Sequence, residues 1–262
     1  MEIRFLGGEA VGGMIDLSSG SESLAGIGRV ANLVAHYVAT GNVKFRGPYS
    51  NKVNFYLDDT QDGSLKVFTK EVARYSSAVA SARAASNARK LFRHIVARAL
   101  GQEDEGDFEL DGLNVPAGTV DALAEAATPG LERSHRWIDQ SNKKIILRDG
   151  QISKIRLDEE TKKYLATEYP DEITSTQDVS VGALNVNSRN GRVFFHDLGR
   201  TVPFYVPRDA ESRTVPTLSR FLTQYAEKTG ATVNINFRRI RYPDGRLKRI
   251  VIYDCYAIED AA

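Results

Sequence analysis

"VSVGALNVNSRNGRVFFHDLGRTVPFYV", residues 179–206, decides how the second half of this chain is to be read. Apolar residues alternate with polar ones at the period of two that a half-buried strand requires, and Asn, Gly and Asp punctuate the run at short intervals. The spacing predicts three strands, near 179–187, 191–197 and 200–206. A helix follows at 214–229, with Val215, Leu218, Phe221, Leu222, Tyr225 and Ala226 on one face and Gly230 at its end. Two further strands, 231–241 and 247–258, close the sequence. The order β-β-β-α-β-β is that of an OB-type barrel, and a small SH3-like barrel is its alternative.

Working back toward the N-terminus, the signals become mixed. "EIRFL" (2–6) and "MIDL" (14–17) read as short strands around the Gly-rich "GGEAVGG". "SESLAGIGRVANLVAHYVATG" (21–41) reads as a helix capped by Ser21 or Ser23 and stopped by Gly41. Residues 52–58 and 64–72 form a hairpin pattern about Asp62-Gly63. The stretch 75–100 is helical, with Leu91, Phe92, Ile95, Val96, Ala99 and Leu100 on one side and Lys90, Arg93, His94 and Arg98 on the other. A short helix over 115–130 is expected to end at Pro129-Gly130, and "KKIILRDGQISKIRL" (143–157) reads as a second hairpin about Arg148-Asp149-Gly150, assignable either to the barrel or to a separate sheet. "TSTQDVS" (174–180) has linker composition. The expected architecture is therefore α+β: a mixed domain over 1–140, then a β-rich domain over 141–262 that holds the barrel at 179–258.

The chain has 262 residues, a formal net charge of +1 and a single cysteine, Cys255. One cysteine excludes an intrachain disulfide framework, and near-zero net charge excludes a global attraction to DNA or anionic membranes. No apolar run approaches the ~18 residues of a membrane span, and the N-terminus lacks signal-peptide character, so a cytoplasmic protein without membrane association is expected. His36, His94, His135 and His196 are not at metal-ligand spacing, neither Gly-rich stretch is a phosphate loop, and "SNKK" and "ETK" lack the context of a nucleophile pair or a nuclease. No catalytic set, metal or cofactor is expected.

Charge is strongly local. Residues 70–100 carry seven basic side chains and one acidic, whereas 102–125 carry eight acidic and none basic, so mutual neutralisation is expected, with a basic helix face for an anionic partner as the alternative. The densest cluster lies in "NINFRRIRYPDGRLKRIVIYDC" (234–255), where over 236–250 Arg238, Arg239, Arg241, Arg246, Lys248 and Arg249 face one acid, Asp244. A bulge is expected at Arg238-Arg239 and a tight turn at "YPDGR". In an OB-type barrel this last hairpin is one of two loops that grip oligonucleotides, and Arg192, beside Arg189, lies at the other. The candidate binding residues are thus Arg192, Arg238, Arg239, Arg241, Arg246 and Lys248. Phe194, Phe195, Phe204, Tyr205 and Tyr242 are candidate stacking platforms. The same cations suit an acidic protein surface, such as residues 102–125 of another copy, or a charged edge that resists aggregation.

The string at 21–41, followed by "VNFYLDDTQDGSLKVF" (53–68), resembles the start of a bacterial domain family with a Ser-Leu-x-Gly-Ile helix start and a later Gly-Ser-Leu/Phe strand. Its members resemble proteins encoded among mobile-element and phage-defence genes. The resemblance covers about residues 1–72 and implies an accessory or assembly subunit of an antiviral complex. Together these features predict a non-enzymatic protein-interaction or scaffolding module that docks a protein partner or a second copy, with nucleic-acid binding through the basic hairpin as the alternative.

Overall fold

The computed structural model describes residues 1–61, 66–103, 107–139, 142–149, 153–227 and 229–256, with the side chains of 58–61 and 153–154 outside that description. The expected turns at Asp62-Gly63 and around Gly150 lie outside it. The chain divides into two compact units, Met1–Ala166 and Thr167–Ala262.

The first unit runs β1 (Glu2–Leu6), a 3-10 turn (Gly8–Gly12), α1 (Leu17–Thr40), β2 (Val53–Gln61), β3 (Lys66–Ala73), α2 (Ala78–Ala99), β4 (Phe108–Leu110), β5 (Leu113–Val115), α3 (Ala117–Ser134), β6 (Lys144–Asp149), β7 (Ser153–Leu157) and α4 (Glu159–Ala166). Five strands make one antiparallel sheet in the order β2-β3-β1-β6-β7. The boundary expected near 140 falls instead after Ala166. Its physical reason is the pairing of β6 with β1, which holds the 143–157 hairpin in the first sheet through Ile3 opposite Leu147 and Phe5 opposite Ile145.

One face of this sheet is buried with α1, α2 and α3 in a single core. Ile3, Phe5, Val67, Ile145, Leu147 and Leu157 meet Leu33, Leu91, Phe92, Ile95 and Leu123 there. Phe5 packs edge-to-face on Trp137 with ring centroids 5.1 Å apart. The predicted strand at 14–17 is absent, because Asp16 caps α1 by accepting a 2.7 Å hydrogen bond from the Ser19 N–H. Ser23, expected as the cap, is buried inside α1, where its hydroxyl accepts the Trp137 N–H at 3.0 Å. Nor does α3 stop at Pro129. It continues to Ser134, and Gly130 serves close helix packing: a Cβ there would lie 2.8 Å from a Val30 methyl and 3.0 Å from the Gly26 carbonyl oxygen.

The second unit runs β8 (Tyr169–Pro170), β9 (Ser175–Asn185), β10 (Asn190–Phe195), β11 (Arg200–Tyr205), α5 (Thr214–Ala226), β12 (Val233–Arg241) and β13 (Leu247–Tyr256). The stretch expected as a linker, 174–180, is mostly strand, since β9 begins at Ser175 to pair with β12, Ser175 opposite Phe237. β9 pairs with β10 and β12, β10 with β11, β12 with β13, and β11 closes onto β13 in parallel. This is a closed five-stranded barrel with its helix between the third and fourth strands. The parallel closure of third strand on fifth selects the OB type over the SH3-like alternative. Val179, Val181, Val193, Phe195, Val202, Phe204, Val233, Ile235, Phe237, Ile250 and Ile252 fill it, and Leu218 and Phe221 of α5 close one end.

Candidate interaction surface

The basic hairpin is built from β12 and β13 around the turn Tyr242–Gly245. Gly245 sits at φ 83° and its N–H donates to the Tyr242 carbonyl at 2.9 Å. The expected bulge is displaced. Arg238 and Arg239 pair regularly with Val251 and Ile250, and the two register shifts fall between Asn236 and Phe237 and between Ile240 and Arg241, each leaving an extra residue on β13.

The hairpin's charges are largely spoken for by the chain itself. β8 lies along the end of β12, with Tyr169 opposite Arg241 and Pro170 opposite Ile240. That contact brings in two carboxylates from the segment before the barrel. Asp171 receives Arg241 through two hydrogen bonds, of 2.7 and 3.1 Å, and Glu168 receives Lys248 at 3.0 Å and Arg249 at 2.8 Å. The Arg241 hydrogen bonds hold the Asp171 carboxyl below its ordinary value against the opposing effect of burial. At Glu168 burial acts to raise the pKa, and the bonds from Lys248 and Arg249 outweigh it, so the net direction is again downward. Asp254 is held low in the same way by Arg213, at 2.5 and 2.8 Å.

The remaining candidates are placed as follows. Arg239 donates to Ser175 Oγ at 2.7 Å and lies over the Phe237 ring at 4.9 Å. Arg238 lies over Tyr253 at 5.8 Å, with its Nε buried and without a hydrogen-bond partner among the described residues. Arg246 is only 7% exposed; its guanidinium packs 4.4 Å over the Tyr242 ring, and its Nε is 3.9 Å from Asp244 Oδ2. Arg192 stands apart on β10, donating to the Thr201 hydroxyl and carbonyl on β11 at 3.1–3.2 Å. Arg189 donates to the Val206 and Pro207 carbonyls at 3.1 and 2.9 Å. Of the candidate platforms, Phe195, Phe204 and Tyr242 are buried and closed to stacking, while Phe194 is half-buried and Tyr205 is exposed on the outer face.

The outer face of β10 and β11 carries the two candidate platforms that remain accessible, Phe194 and Tyr205. Phe194 has His196 as its edge-on neighbour, 5.1 Å away; Tyr205 is exposed opposite Asn190 at the start of β10, and Val186 and Leu198 are exposed in the turns before and after that strand. His196 Nε2 is 3.2 Å from the Ser180 hydroxyl. Among the described residues no group of three or more His, Cys, Asp or Glu side chains is placed to hold a metal ion, and no helix is long and apolar enough to cross a membrane.

Two family models match this chain. One, a domain of unknown function (DUF7946), covers residues 1–115, and the other, a family of unknown function (DUF7947), covers residues 174–255. The second match begins one residue before β9 and ends one residue before the end of β13, so it frames the barrel. The first stops at the end of β5 and leaves out α3, β6 and β7, which complete the sheet and its core. Neither description carries an activity. The comparisons with curated proteins and with solved structures give no match.

The basic helix face expected over 75–100 is also partly engaged. Arg89 bonds the buried Glu71 at 2.6 Å, Arg93 reaches Asp149 at 3.4 Å, and Arg98, expected on the polar side, is buried against Asp121 at 3.0 Å. His94 meets Glu103. Two of these acids, Glu103 and Asp121, belong to the acidic 102–125 segment, while Glu71 and Asp149 come from the sheet.

Proposed function

We propose that this protein is a non-enzymatic docking module whose barrel binds a protein partner through the outer face of β10 and β11, and that a second copy of the chain is that partner. The observation that supports it is the division of labour on the barrel surface. The hairpin cations Arg241, Lys248 and Arg249 are held by Asp171 and Glu168, whereas Tyr205 on the outer face and Val186 and Leu198 in the turns at either end of β10 stay exposed. Apolar and aromatic side chains beside an arginine are the residue types that anchor protein interfaces.

Size exclusion with light scattering tests this. A defined, concentration-dependent multimer is expected, and Leu198→Asp with Tyr205→Asp returns it to monomer with an unchanged circular dichroism spectrum. A chain that is monomeric at all concentrations, or a multimer indifferent to these two changes, sinks the proposal. Salt-dependent binding of an oligonucleotide that is lost in the same double variant would turn this face over to nucleic acid.

A further inference from the structure

We propose that the second face of the first unit's sheet, opposite the helices, is a binding surface for single-stranded nucleic acid. The proposal rests on this unit alone and not on the barrel reading. Burial alternates along β1: Ile3 and Phe5 point into the core, so Glu2, Arg4 and Leu6 point the other way. Residues directly opposite in paired strands share a face. The register therefore sets Lys66 of β3 beside Arg4, and Arg148 and Lys144 of β6 beside Glu2 and Leu6. Lys70 continues the β3 row two residues on from Phe68. Five cations of β1, β3 and β6 thus share one sheet face with Arg156 of β7, which lies opposite Ile146; Glu2 is taken up by Arg4 at 2.7 Å, Arg156 is paired with Asp158 and Glu160, and the register also sets Asp59 of β2 opposite Phe68.

The state of these cations separates them from the hairpin. The side chains of Lys66, Lys70, Lys144 and Arg148 have no hydrogen bond or ion pair among the described residues, and Arg148 Nε is buried. Phe68 stands directly opposite Glu2, and Ile146 opposite Arg4, both half-buried on the same surface. Along β3 (Lys66, Phe68, Lys70) and β6 (Lys144, Ile146, Arg148) cationic and apolar positions alternate at every second residue, a step of about 6.6 Å that the phosphates and bases of an extended strand can follow. Cations along the backbone with an aromatic ring for a base are the elements of sequence-tolerant single-strand binding. A duplex would use the cations and leave Phe68 idle, whereas a single strand uses both, its phosphates at the cations and a base on the ring, so the pairing of ring with cations favours a single strand, and an acidic protein surface is the competing outcome of the test.

Fluorescence anisotropy of the full chain with a labelled oligothymidine of about 12 nucleotides reads the proposal out at low ionic strength. Salt-dependent binding is expected. Lys66→Glu with Lys144→Glu is expected to weaken it at least about tenfold and to flatten the log–log salt slope by ~0.7 for each phosphate no longer neutralised. Phe68→Ala is expected to cost about tenfold with the slope unchanged, as removal of one stacked base does. Arg83→Glu with Lys90→Glu, exposed on α2, is the charge control and is expected to leave affinity nearly intact. Absence of binding overturns the proposal. So does an equal loss in the α2 control, or a Phe68→Ala chain that binds oligothymidine as before and is competed equally by heparin. A thermal melt accompanies each variant, and because the two lysines are not core residues the double variant keeps the test readable.

Discussion

The chain carries two basic surfaces, and they differ in where their counter-charges come from. At the barrel hairpin six cations sit within a dozen residues of sequence, and Asp171, Glu168 and Asp244 are set against four of them. On the open face of the first sheet the cations arrive singly or in pairs from β1, β3 and β6, and four of them have no partner among the described residues. Local charge density is thus a poor guide to available charge. A run of arginines on a hairpin is conspicuous in sequence and is neutralised by acids about 70 to 80 positions upstream, from Asp171 to Arg241 and from Glu168 to Arg249. The less conspicuous surface is the one that retains its field.

The strongest way to break this comparison is to remove the scaffold beneath the hairpin. Phe237 is fully buried in the barrel and supports Arg239 from below. Phe237→Ala is expected to destabilise the barrel by ~3–5 kcal/mol. Denaturant titration followed by amide exchange should show weakened protection over β9–β13. An unshifted midpoint would mean that the barrel core does not hold the hairpin in place.

A smaller change sharpens the comparison instead. Asp171→Asn and Glu168→Gln remove the charges that quench the hairpin while keeping the shape of the side chains. All three ion pairs are partly exposed, so the double variant is expected to lose only about 1–2 kcal/mol of stability. It should also acquire salt-dependent oligonucleotide binding beyond that of the parent, through Arg241, Lys248 and Arg249. Unchanged binding in the anisotropy assay would show that the hairpin is a structural edge whatever its charge.

How much of this is legible in the sequence follows from the range of the interactions involved. The barrel reads well because its strand periodicity, the apolar face of α5 and the Pro243–Gly245 turn are all local. The pairing of β11 with β13 is not local, which is why OB and SH3-like barrels stay tied until the parallel closure is seen. Likewise 174–180 reads as a linker because its polar residues sit on a strand whose outer face is wet, and its burial begins only at Val179. Pro129 reads as a helix stop by intrinsic propensity, and the fit of Gly130 against α1 overrides it. For the candidate surface, all six cations lie on the barrel's strands and turn. What sequence windows could not reveal is that Glu168 and Asp171 meet them, or that Arg4, Lys66, Lys144 and Arg148 share a face, because both facts are set by strand register.

The smallest effect expected is a difference in how the two units respond to mild acid. In the first unit, burial lowers the pKa of His36 and of His135. His36 Nδ1 accepts the Ser50 N–H at 2.9 Å, and His135 is 1% exposed, bonded to Leu131 O at 2.7 Å and Thr161 Oγ1 at 2.9 Å. A folded-state pKa below the unfolded value means that the unfolded chain binds the extra proton, so the stability these residues give is present above ~6.5 and is lost as pH falls through that range. The barrel's lowered groups are the carboxylates Glu168, Asp171 and Asp254, whose contribution is lost only as pH falls below ~4. Between pH 7.5 and 5.5 the first unit is therefore expected to weaken while the barrel holds. The chain supplies a reporter for each unit. Its one tryptophan, Trp137, is buried in the first core, and its one cysteine, Cys255, is buried in the barrel, donating to Thr214 O at 3.2 Å with its thiol pushed up to about 12 by burial. Urea unfolding followed by tryptophan fluorescence should shift to lower midpoint over this pH interval. For the barrel, samples equilibrated in urea at each pH are brought to pH 8 for a brief pulse of thiol reagent, which labels Cys255 only where the barrel has opened. The midpoint of that labelling should stay put. If both midpoints fall together, the histidines are not what distinguishes the two units.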